Sequence, residues 1–290
     1  MPSVLVPLFS GLVTYGSMPA FLRLLQKGEA TRLNYRGAAI PVGAGFLFLW
    51  IGCLTELLLL LPFSPDMTPR FSPTTGLLPQ AIPLFITTAL GYGLLGLFDD
   101  LVGSRRETGL KGHGAALRRG ELTTGTIKAL AGVAFGLMLA VWRLGVEGWM
   151  GRYWIVVVFV DGLLIAASAN TLNLLDLRPG RSGKVFFGGA LLIMLSGNPT
   201  SLALLPWMGS TLGYLPFDLK GEAMMGDVGS NALGALLGLA SCYVVSLGYR
   251  SVLLLSLILV HLLAERISFS KVIEHHPLLR VIDGWGRKDT

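Results

Sequence analysis

The sequence has little charge and few thiol or imidazole side chains. Only 14% of its 290 residues are Asp, Glu, Lys or Arg, whereas 52% are hydrophobic. A soluble domain carries about 25% charged residues, so this composition excludes an ordinary soluble protein. The two cysteines lie in apolar runs, which excludes a disulfide framework and a thiolate–metal site. The first apolar run has no basic segment before it and no A-x-A-like cleavage site, so we expect a retained span and not a signal peptide.

What the sequence has instead is a series of long apolar runs, with a mean hydropathy of +0.65. About 20 apolar residues cross a bilayer as a helix, and such runs favour helices over other structures. The apolar windows lie near residues 3–25, 41–62, 80–98, 127–142, 153–172, 185–197, 200–217, 229–248 and 251–265. We therefore predict an all-α polytopic membrane protein with about nine transmembrane helices. Residues 1–265 would form the catalytic transmembrane domain, and residues 266–290 a basic cytoplasmic tail.

The distribution of basic residues predicts the orientation of these spans. With the N-terminus outside the cell, 19 of the 23 lysines and arginines fall on the cytoplasmic side. The positive-inside rule therefore places the C-terminus in the cytoplasm of a multi-pass cell-membrane protein. The net charge of +6 is then a signal of topology and an attraction to anionic lipid or phosphate. No basic stripe with interleaved aromatic residues is present, so nucleic acid is not an expected partner.

Polar residues are concentrated in five clusters, and this orientation places all five on the cytoplasmic side. They are NYRGAAIPVGAG (34–45), FDDLVGSRRETGLKGHG (98–114), NTLNLLDLRPGRSGK (170–184), GEAMMGDVGSNALG (221–234) and EHHP (274–277). Polar residues with separate structural roles would not all choose one membrane interface. The clusters therefore predict a shared site at the lipid–water boundary.

Three acidic residues are the first candidates for this site. Asp99 and Asp100 follow a span at its C-terminal end, where the helix dipole disfavours anions, so a metal or a proton is expected beside them. The alternative is that both carboxylates are simply hydrated at the membrane interface and have no ligand. Asp227 lies between Gly226 and Gly229, just before a span that we expect to begin at Ser230; glycine allows close approach of a ligand, and a helix N-terminus favours phosphate. The alternative is an N-cap aspartate with ordinary turn glycines.

Asn170, Asn173 and Asp176 are spaced so that they line one face of a helix, although Asn also commonly bonds between membrane helices. Carboxylate and amide oxygens without cysteine suit Mg²⁺ or Mn²⁺ better than zinc. The basic residues near the clusters, which can hold phosphate, are Arg36, Arg105, Arg106, Lys111, Lys128, Arg178, Arg181 and Lys184. Carboxylates, a hard cation and basic residues at a membrane surface indicate phosphoryl transfer between a soluble and a lipid substrate.

These motifs resemble those of the polyprenyl-phosphate N-acetylhexosamine-1-phosphate transferases, which include the phospho-MurNAc-pentapeptide translocase and GlcNAc-1-phosphate transferases. The matching motifs are IPVGAG (40–45), FDD (98–100), TTGTIK (123–128), NTLNLLD (170–176) and MGDVGS (225–230). They occur in the family's order and cover most of the chain. The resemblance implies transfer of a sugar-1-phosphate from a UDP-sugar to polyprenyl (undecaprenyl) phosphate, with release of UMP, at a cytoplasmic Mg²⁺ (or Mn²⁺) site.

The resemblance also implies roles for single residues. Asp227 is the expected metal ligand and Asn173 a second one. Asp99 is expected to face the lipid phosphate, as a base or as a positioning group, with Asp100 beside it. The residues expected to bind the substrates are Arg36, Lys128, Asn170, Asp176, Arg178, Arg181, His275 and His276.

The sequence departs from the family pattern at three places. The family commonly reads DGxDG after the Asn pair, whereas this chain reads DLRPG, with Pro179 where a second aspartate is usual. Gly103 replaces a lysine that often follows DD. The histidine-rich motif is reduced to His275 and His276, which are equally consistent with a plain interfacial helix. Because Pro179 removes a carboxylate, we expect UDP-MurNAc-pentapeptide to be a poorer donor than a simpler UDP-N-acetylhexosamine.

Two other classes of protein compete with this interpretation. A transporter or flippase of a lipid-linked or anionic solute would place its polar groups near the bilayer midplane, often within inverted repeats, and neither is found. A CDP-alcohol phosphatidyltransferase would need a DG-x-x-AR-type cluster, which is absent. Monomer and homodimer stay open. Asp161, near the middle of the fifth window, is unfavourable there, and the sequence alone assigns it no partner.

Overall fold

The computed structural model describes residues 2–60, 78–103, 112, 116, 118–148 and 151–287. Two short antiparallel strands, β1 (Thr31–Leu33) and β2 (Ala39–Pro41), form a hairpin, and a 3₁₀ helix spans Pro199–Leu204. The α-helices are α1 (Pro2–Lys27), α2 (Gly45–Leu60), α3 (Leu78–Val102), α4 (Thr124–Glu147), α5 (Trp154–Leu175), α6 (Arg181–Met194), α7 (Leu205–Leu219), α8 (Gly226–Val244), α9 (Leu247–Ala264), α10 (Phe269–His275) and α11 (Pro277–Gly284).

The helices confirm the predicted all-α polytopic membrane fold, because every apolar window contains a helix. Among the described residues, five helices are long and apolar enough to cross a bilayer, namely α1, α3, α4, α5 and α9, and α2 is a shorter apolar helix. The count of nine spans and the orientation stay predictions. Three of the basic residues named above, Arg105, Arg106 and Lys111, lie outside the described residues.

Helix α8 is the central helix of the bundle, and it packs against α2, α3, α5 and α6. Small residues allow this close packing. Side chains at Gly234 and Gly238 would collide with α5 at Ser168 and Ile165. At the other contact, a side chain at Gly96 of α3 would collide with the backbone of Asp227. This packing brings the start of α8 beside the ends of α3 and α5.

The β1–β2 hairpin fastens the segment that precedes α8. Val42 forms a parallel bridge with Met224, whose backbone N–H donates to the Pro41 carbonyl at 2.8 Å. The Gly45 N–H donates to the Met225 carbonyl at 3.0 Å. The chain before Asp227 is therefore held as part of a small backbone-paired layer at one end of the bundle.

Two predicted helix boundaries were wrong. Helix α8 begins at Gly226 and not at Ser230, so Asp227 lies within its first turn. Helix α6 begins at Arg181, before the apolar window that starts near residue 185. In both cases the first turn is polar, and a search for apolar windows excludes such a turn.

The structure also gives Asp161 its partners. Asp161 is fully buried and accepts hydrogen bonds from Arg143 at 2.6 Å and from Arg250 at 2.6 and 2.7 Å. Arg143 also bonds Glu147 at 2.6 Å. Arg143 and Arg250 therefore lie within helices and pair with a buried carboxylate.

Candidate active site

The centre of the site is one lysine shared by two aspartates from different helices. The Lys128 ammonium of α4 donates to Asp99 Oδ2 of α3 at 2.9 Å and to Asp227 Oδ2 of α8 at 2.5 Å. The three side chains are only 16–23% exposed. We call them the Lys128 cluster. Two carboxylates and one ammonium carry a net charge of −1, so the cluster attracts a further cation.

Two asparagine side chains hold Asp227 in addition to Lys128. The Asn173 side-chain amide donates to Asp227 Oδ2 at 3.0 Å, and the Ser230 hydroxyl donates to Asn173 Oδ1 at 3.1 Å. The Asn231 amide donates to the backbone carbonyl of Asp227 at 2.8 Å. The N-terminal turn of α8 further favours a carboxylate at this position. Asp227 is therefore held at a defined place at the end of α5.

Asp100 has a different environment from its neighbour Asp99. Its carboxylate accepts hydrogen bonds from the Arg32 guanidinium of β1 and from the Val228 backbone N–H of α8, both at 3.2 Å. A side chain at Gly226, which has a φ of +73°, would collide with the same carboxylate. Asp100 thus joins the hairpin to the start of α8. Its predicted part in the reaction stays a prediction.

A cavity of about 500 Å³ opens beside the Lys128 cluster. Its polar end contains Asp99, Lys128, Asn170 and Asn173. Its walls are mainly apolar and come from α3, α4, α5 and α9, with Leu254, Ile258 and Leu262 among the lining residues. Such a cavity can hold a hydrocarbon chain with its polar end at the cluster.

The segment 176–180 follows α5 directly, and we call it the Pro179 loop. Its Gly180 N–H donates to the Asp218 carboxylate of α7 at 2.8 Å. Burial raises the pKa of Asp218 to about 7, although this hydrogen bond opposes the increase. Burial, with repulsion from Asp218 and Asp227, also raises the pKa of Asp176 well above its usual range. Asp176 and Asp218 together therefore bind a proton more readily than isolated carboxylates.

The other predicted substrate-binding residues lie at the edge of this loop. The guanidinium groups of Arg36 and Arg178 lie 5.1 and 4.6 Å from the centre of the Tyr35 ring. Arg178 also pairs with Glu274 at 3.2 Å. Stacking on an aromatic ring keeps an arginine planar and weakly hydrated, so both can contact an anionic substrate.

The remaining three predicted residues face the C-terminal segment or solvent. Arg181 directs its guanidinium to Asp283. His275 is exposed, and its Nδ1 lies 2.7 Å from the Lys271 carbonyl; His276 is exposed too. In the part of the chain that the structure describes, neither ring contacts the Lys128 cluster.

The donor groups fit a hard divalent cation that is held jointly with a substrate. Within the described ranges, no three Asp, Glu, His or Cys side chains group closely enough to hold a metal alone. Mg²⁺ is usually bound by one or two carboxylates together with water and substrate phosphates. Asp227 and Asp99 supply two carboxylates, and the Lys128 ammonium between them already occupies a cation position.

Sequence reasoning missed several residues of the site. Arg32 was only one of many basic residues on the side predicted to be cytoplasmic, and Asp218 lies near the end of a helix without any motif. Asp283 is 102 residues from its partner Arg181. No local pattern can indicate such pairings, because they are created by the packing of distant helices.

Comparison with known proteins gives one family. Residues 82–245 match the model of the glycosyl transferase family 4. This range includes both carboxylates and the lysine of the Lys128 cluster, Asn173 and the Pro179 loop.

Three relatives are the phospho-N-acetylmuramoyl-pentapeptide-transferases of Moorella thermoacetica, Shouchella clausii and Limosilactobacillus fermentum. The first is 30% identical over 76% of this chain and 67% of its own length. The second is 30% identical over 55% of this chain and 50% of its own. The third is 27% identical over 78% and 69%. The chain thus spans between half and about two thirds of the length of these relatives.

Proposed function

Because the chain belongs to the glycosyl transferase family 4, we propose that it transfers a sugar-1-phosphate from a UDP-sugar to a polyprenyl phosphate, with release of UMP. The observation that carries the proposal is the position of the Lys128 cluster at the polar end of an apolar cavity. A site for a lipid phosphate needs charged groups for the phosphate and, directly beside them, an apolar cavity for the hydrocarbon chain.

The reaction exchanges one diphosphate linkage for another. An oxygen of the lipid phosphate attacks the phosphorus that carries the sugar, and the bond from that phosphorus to the bridging oxygen breaks. The bridging oxygen leaves with UMP and keeps the electron pair. Little driving force is needed, so the protein contributes positioning and charge stabilisation.

The residues of the site have separate tasks in this scheme. Asp99 lines the cavity and orients the lipid phosphate or accepts its proton, and Lys128 neutralises charge between the two carboxylates. Asp227, supported by Asn173, would hold Mg²⁺ together with the donor's diphosphate. Bound Mg²⁺ supplies polarisation of the phosphoryl oxygens. Asn170 completes the polar end of the cavity.

The Pro179 loop and the two stacked arginines form the donor side of the proposed site. The names of the relatives specify a phospho-N-acetylmuramoyl-pentapeptide group for those proteins. In this chain, proline removes a backbone donor and fixes φ, and one carboxylate is missing. Loss of a hydrogen-bonding group relaxes or redirects selection. We propose a simpler UDP-N-acetylhexosamine as the donor, with the site on the cytoplasmic face.

A direct test incubates the purified protein with undecaprenyl phosphate, Mg²⁺ and a panel of UDP-sugars, and measures UMP and lipid product. We expect UMP and a lipid diphosphate sugar in equal amounts, with UDP-MurNAc-pentapeptide slower than UDP-N-acetylhexosamine. Asp227→Asn is the inactive control. Failure of every UDP-sugar to release UMP, or release of UMP without a lipid product, would refute the proposed reaction. Efficient use of the pentapeptide donor would refute only the donor assignment.

A further inference from the structure

The C-terminal segment 269–287 folds back onto the Pro179 loop and the start of α6. We call this segment, which contains α10 and α11, the C-terminal hairpin. Its Asp283 carboxylate accepts two hydrogen bonds from Arg181, at 2.8 and 3.0 Å. The third donor group of Arg181 bonds the Ser270 hydroxyl at 3.1 Å. Only 4% of the Arg181 side chain and 11% of the Asp283 side chain are exposed. Each of the three nitrogens of the Arg181 guanidinium therefore donates a hydrogen bond to the C-terminal hairpin.

A second contact reaches the loop itself. Arg287 donates to the backbone carbonyl of Pro179 at 2.8 Å and to Asp283 at 2.8 Å. Lys184 of α6 donates to the carbonyls of Ile282 and Asp283, at 3.0 and 2.7 Å. Pro179, the residue that departs most clearly from the family motif, is thus held through its backbone carbonyl by the C-terminal hairpin.

The charge balance at this contact depends on one carboxylate, that of Asp283. Asp283 lies among three cations, Arg181, Lys184 and Arg287. Burial, followed by repulsion from Arg287, lowers the pKa of Lys184, whereas the bonds from Arg181 and Arg287 hold the pKa of Asp283 below its usual range. Without the Asp283 charge, the three cations would repel one another, and the nearly buried Arg181 would lack its counter-ion.

We propose that the C-terminal hairpin is a latch that holds the Pro179 loop in its donor-binding shape, with Asp283 as the central positioning residue. This inference rests on the proposed function, because it assigns the Pro179 loop to the nucleotide sugar. The latch acts on the donor and not on the lipid. Its polar contacts reach residues 178–184, whereas no residue of the hairpin lines the apolar cavity.

The test variant is Asp283→Asn, which preserves the shape of the side chain and removes its charge. A hydrogen bond to a charged partner is worth about 1.5–3 kcal/mol, which corresponds to at least about a tenfold change in an equilibrium constant. We therefore expect the KM for the UDP-sugar to rise about tenfold or more. The KM for undecaprenyl phosphate should stay within about twofold. Hydrogen exchange of residues 176–184 should become faster.

Two further variants complete the design. Arg280→Gln is the matched control, because the Arg280 side chain lies on the same helix and makes no hydrogen bond or ion pair with any described residue; it should behave as wild type. Asp283→Glu restores the charge and should recover part of the donor affinity. If Asp283→Asn cannot be isolated folded, Arg287→Gln removes only the contacts to Asp283 and Pro179, and it should raise the donor KM by a smaller factor.

The outcomes separate the latch from the proposed function. Absence of UMP release by the wild-type protein would refute the proposed function; unchanged hydrogen exchange in Asp283→Asn would then refute the latch as well. If the wild-type protein turns over the UDP-sugar and the donor KM is unchanged in Asp283→Asn, the latch alone is refuted. Where Arg287→Gln replaces that variant, an unchanged donor KM in Arg287→Gln has the same meaning. Equal rises of both KM values would also refute it, since they would indicate a general loss of structure.

Discussion

Removal of the charge of Lys128 is the most informative perturbation of the site. Lys128→Met keeps most of the length of the unbranched side chain but leaves Asp99 and Asp227 without the ammonium that they share at 2.9 and 2.5 Å. Two hydrogen bonds between charged groups are lost, each worth about 1.5–3 kcal/mol before solvent screening. A net loss of about 3 kcal/mol corresponds to roughly a 100-fold loss of turnover.

The same change should strengthen the binding of Mg²⁺ although it lowers turnover. The charge of the cluster falls from −1 to −2 when the ammonium is absent, so the Mg²⁺ concentration for half-maximal activity should decrease. The assay is UMP release across a Mg²⁺ titration. Lys27→Met is the matched control, because Lys27 is exposed at the end of α1 and has no ion pair among the described residues. Turnover of Lys128→Met within a few-fold of wild type, or an unchanged Mg²⁺ midpoint, would refute this role of Lys128.

Four other predictions address separate parts of the molecule. Asp99→Asn should lower kcat without raising the KM for the UDP-sugar; an equal loss of donor affinity would place Asp99 on the donor side. Asp161→Ala leaves Arg250 buried without a counter-ion and Arg143 with Glu147 alone, so thermal unfolding in detergent should show a loss of about 3–5 kcal/mol; an unchanged Tm would contradict this. Burial raises the pKa of Asp218 from 3.8 to about 7, so the folded state loses stability as pH rises between these values. The stability of Asp218→Asn relative to wild type should therefore increase by about 2.5 kcal/mol as the pH rises from 5 to 8, and a difference independent of pH would refute the assignment. Tags at the two termini should be reached from opposite sides of the membrane, and labelling of both from one side would overturn the predicted orientation.

The helices and the meeting of their polar ends could be predicted from the sequence. Long apolar runs determine where helices form in a membrane, and charge and amide groups avoid the hydrocarbon. The ends of α3 and α5 and the starts of α4 and α8 therefore had to lie at the bundle ends. Asp99, Lys128, Asn173 and Asp227, which come from these four ends, do meet in the structure.

The pairings that complete the site could not be predicted in this way. Asp100 and Asp99 are adjacent and chemically identical, yet Asp100 bonds the Val228 N–H of α8 whereas Asp99 lines the cavity, a difference that only the packed structure shows. The contact of Asp283 with Arg181 depends on how a segment after the last long helix folds back. Neither feature has a periodicity or a local motif.

The most direct test of the central claim follows the phosphorus atom next to the sugar. The UDP-sugar that the panel identifies as donor is labelled with ³²P at this β-phosphate and incubated with undecaprenyl phosphate, Mg²⁺ and the protein. The account predicts that the label moves into an organic-soluble lipid diphosphate while the released UMP is unlabelled. Label that remains in a water-soluble nucleotide or appears as inorganic phosphate would contradict the transfer of a sugar-1-phosphate.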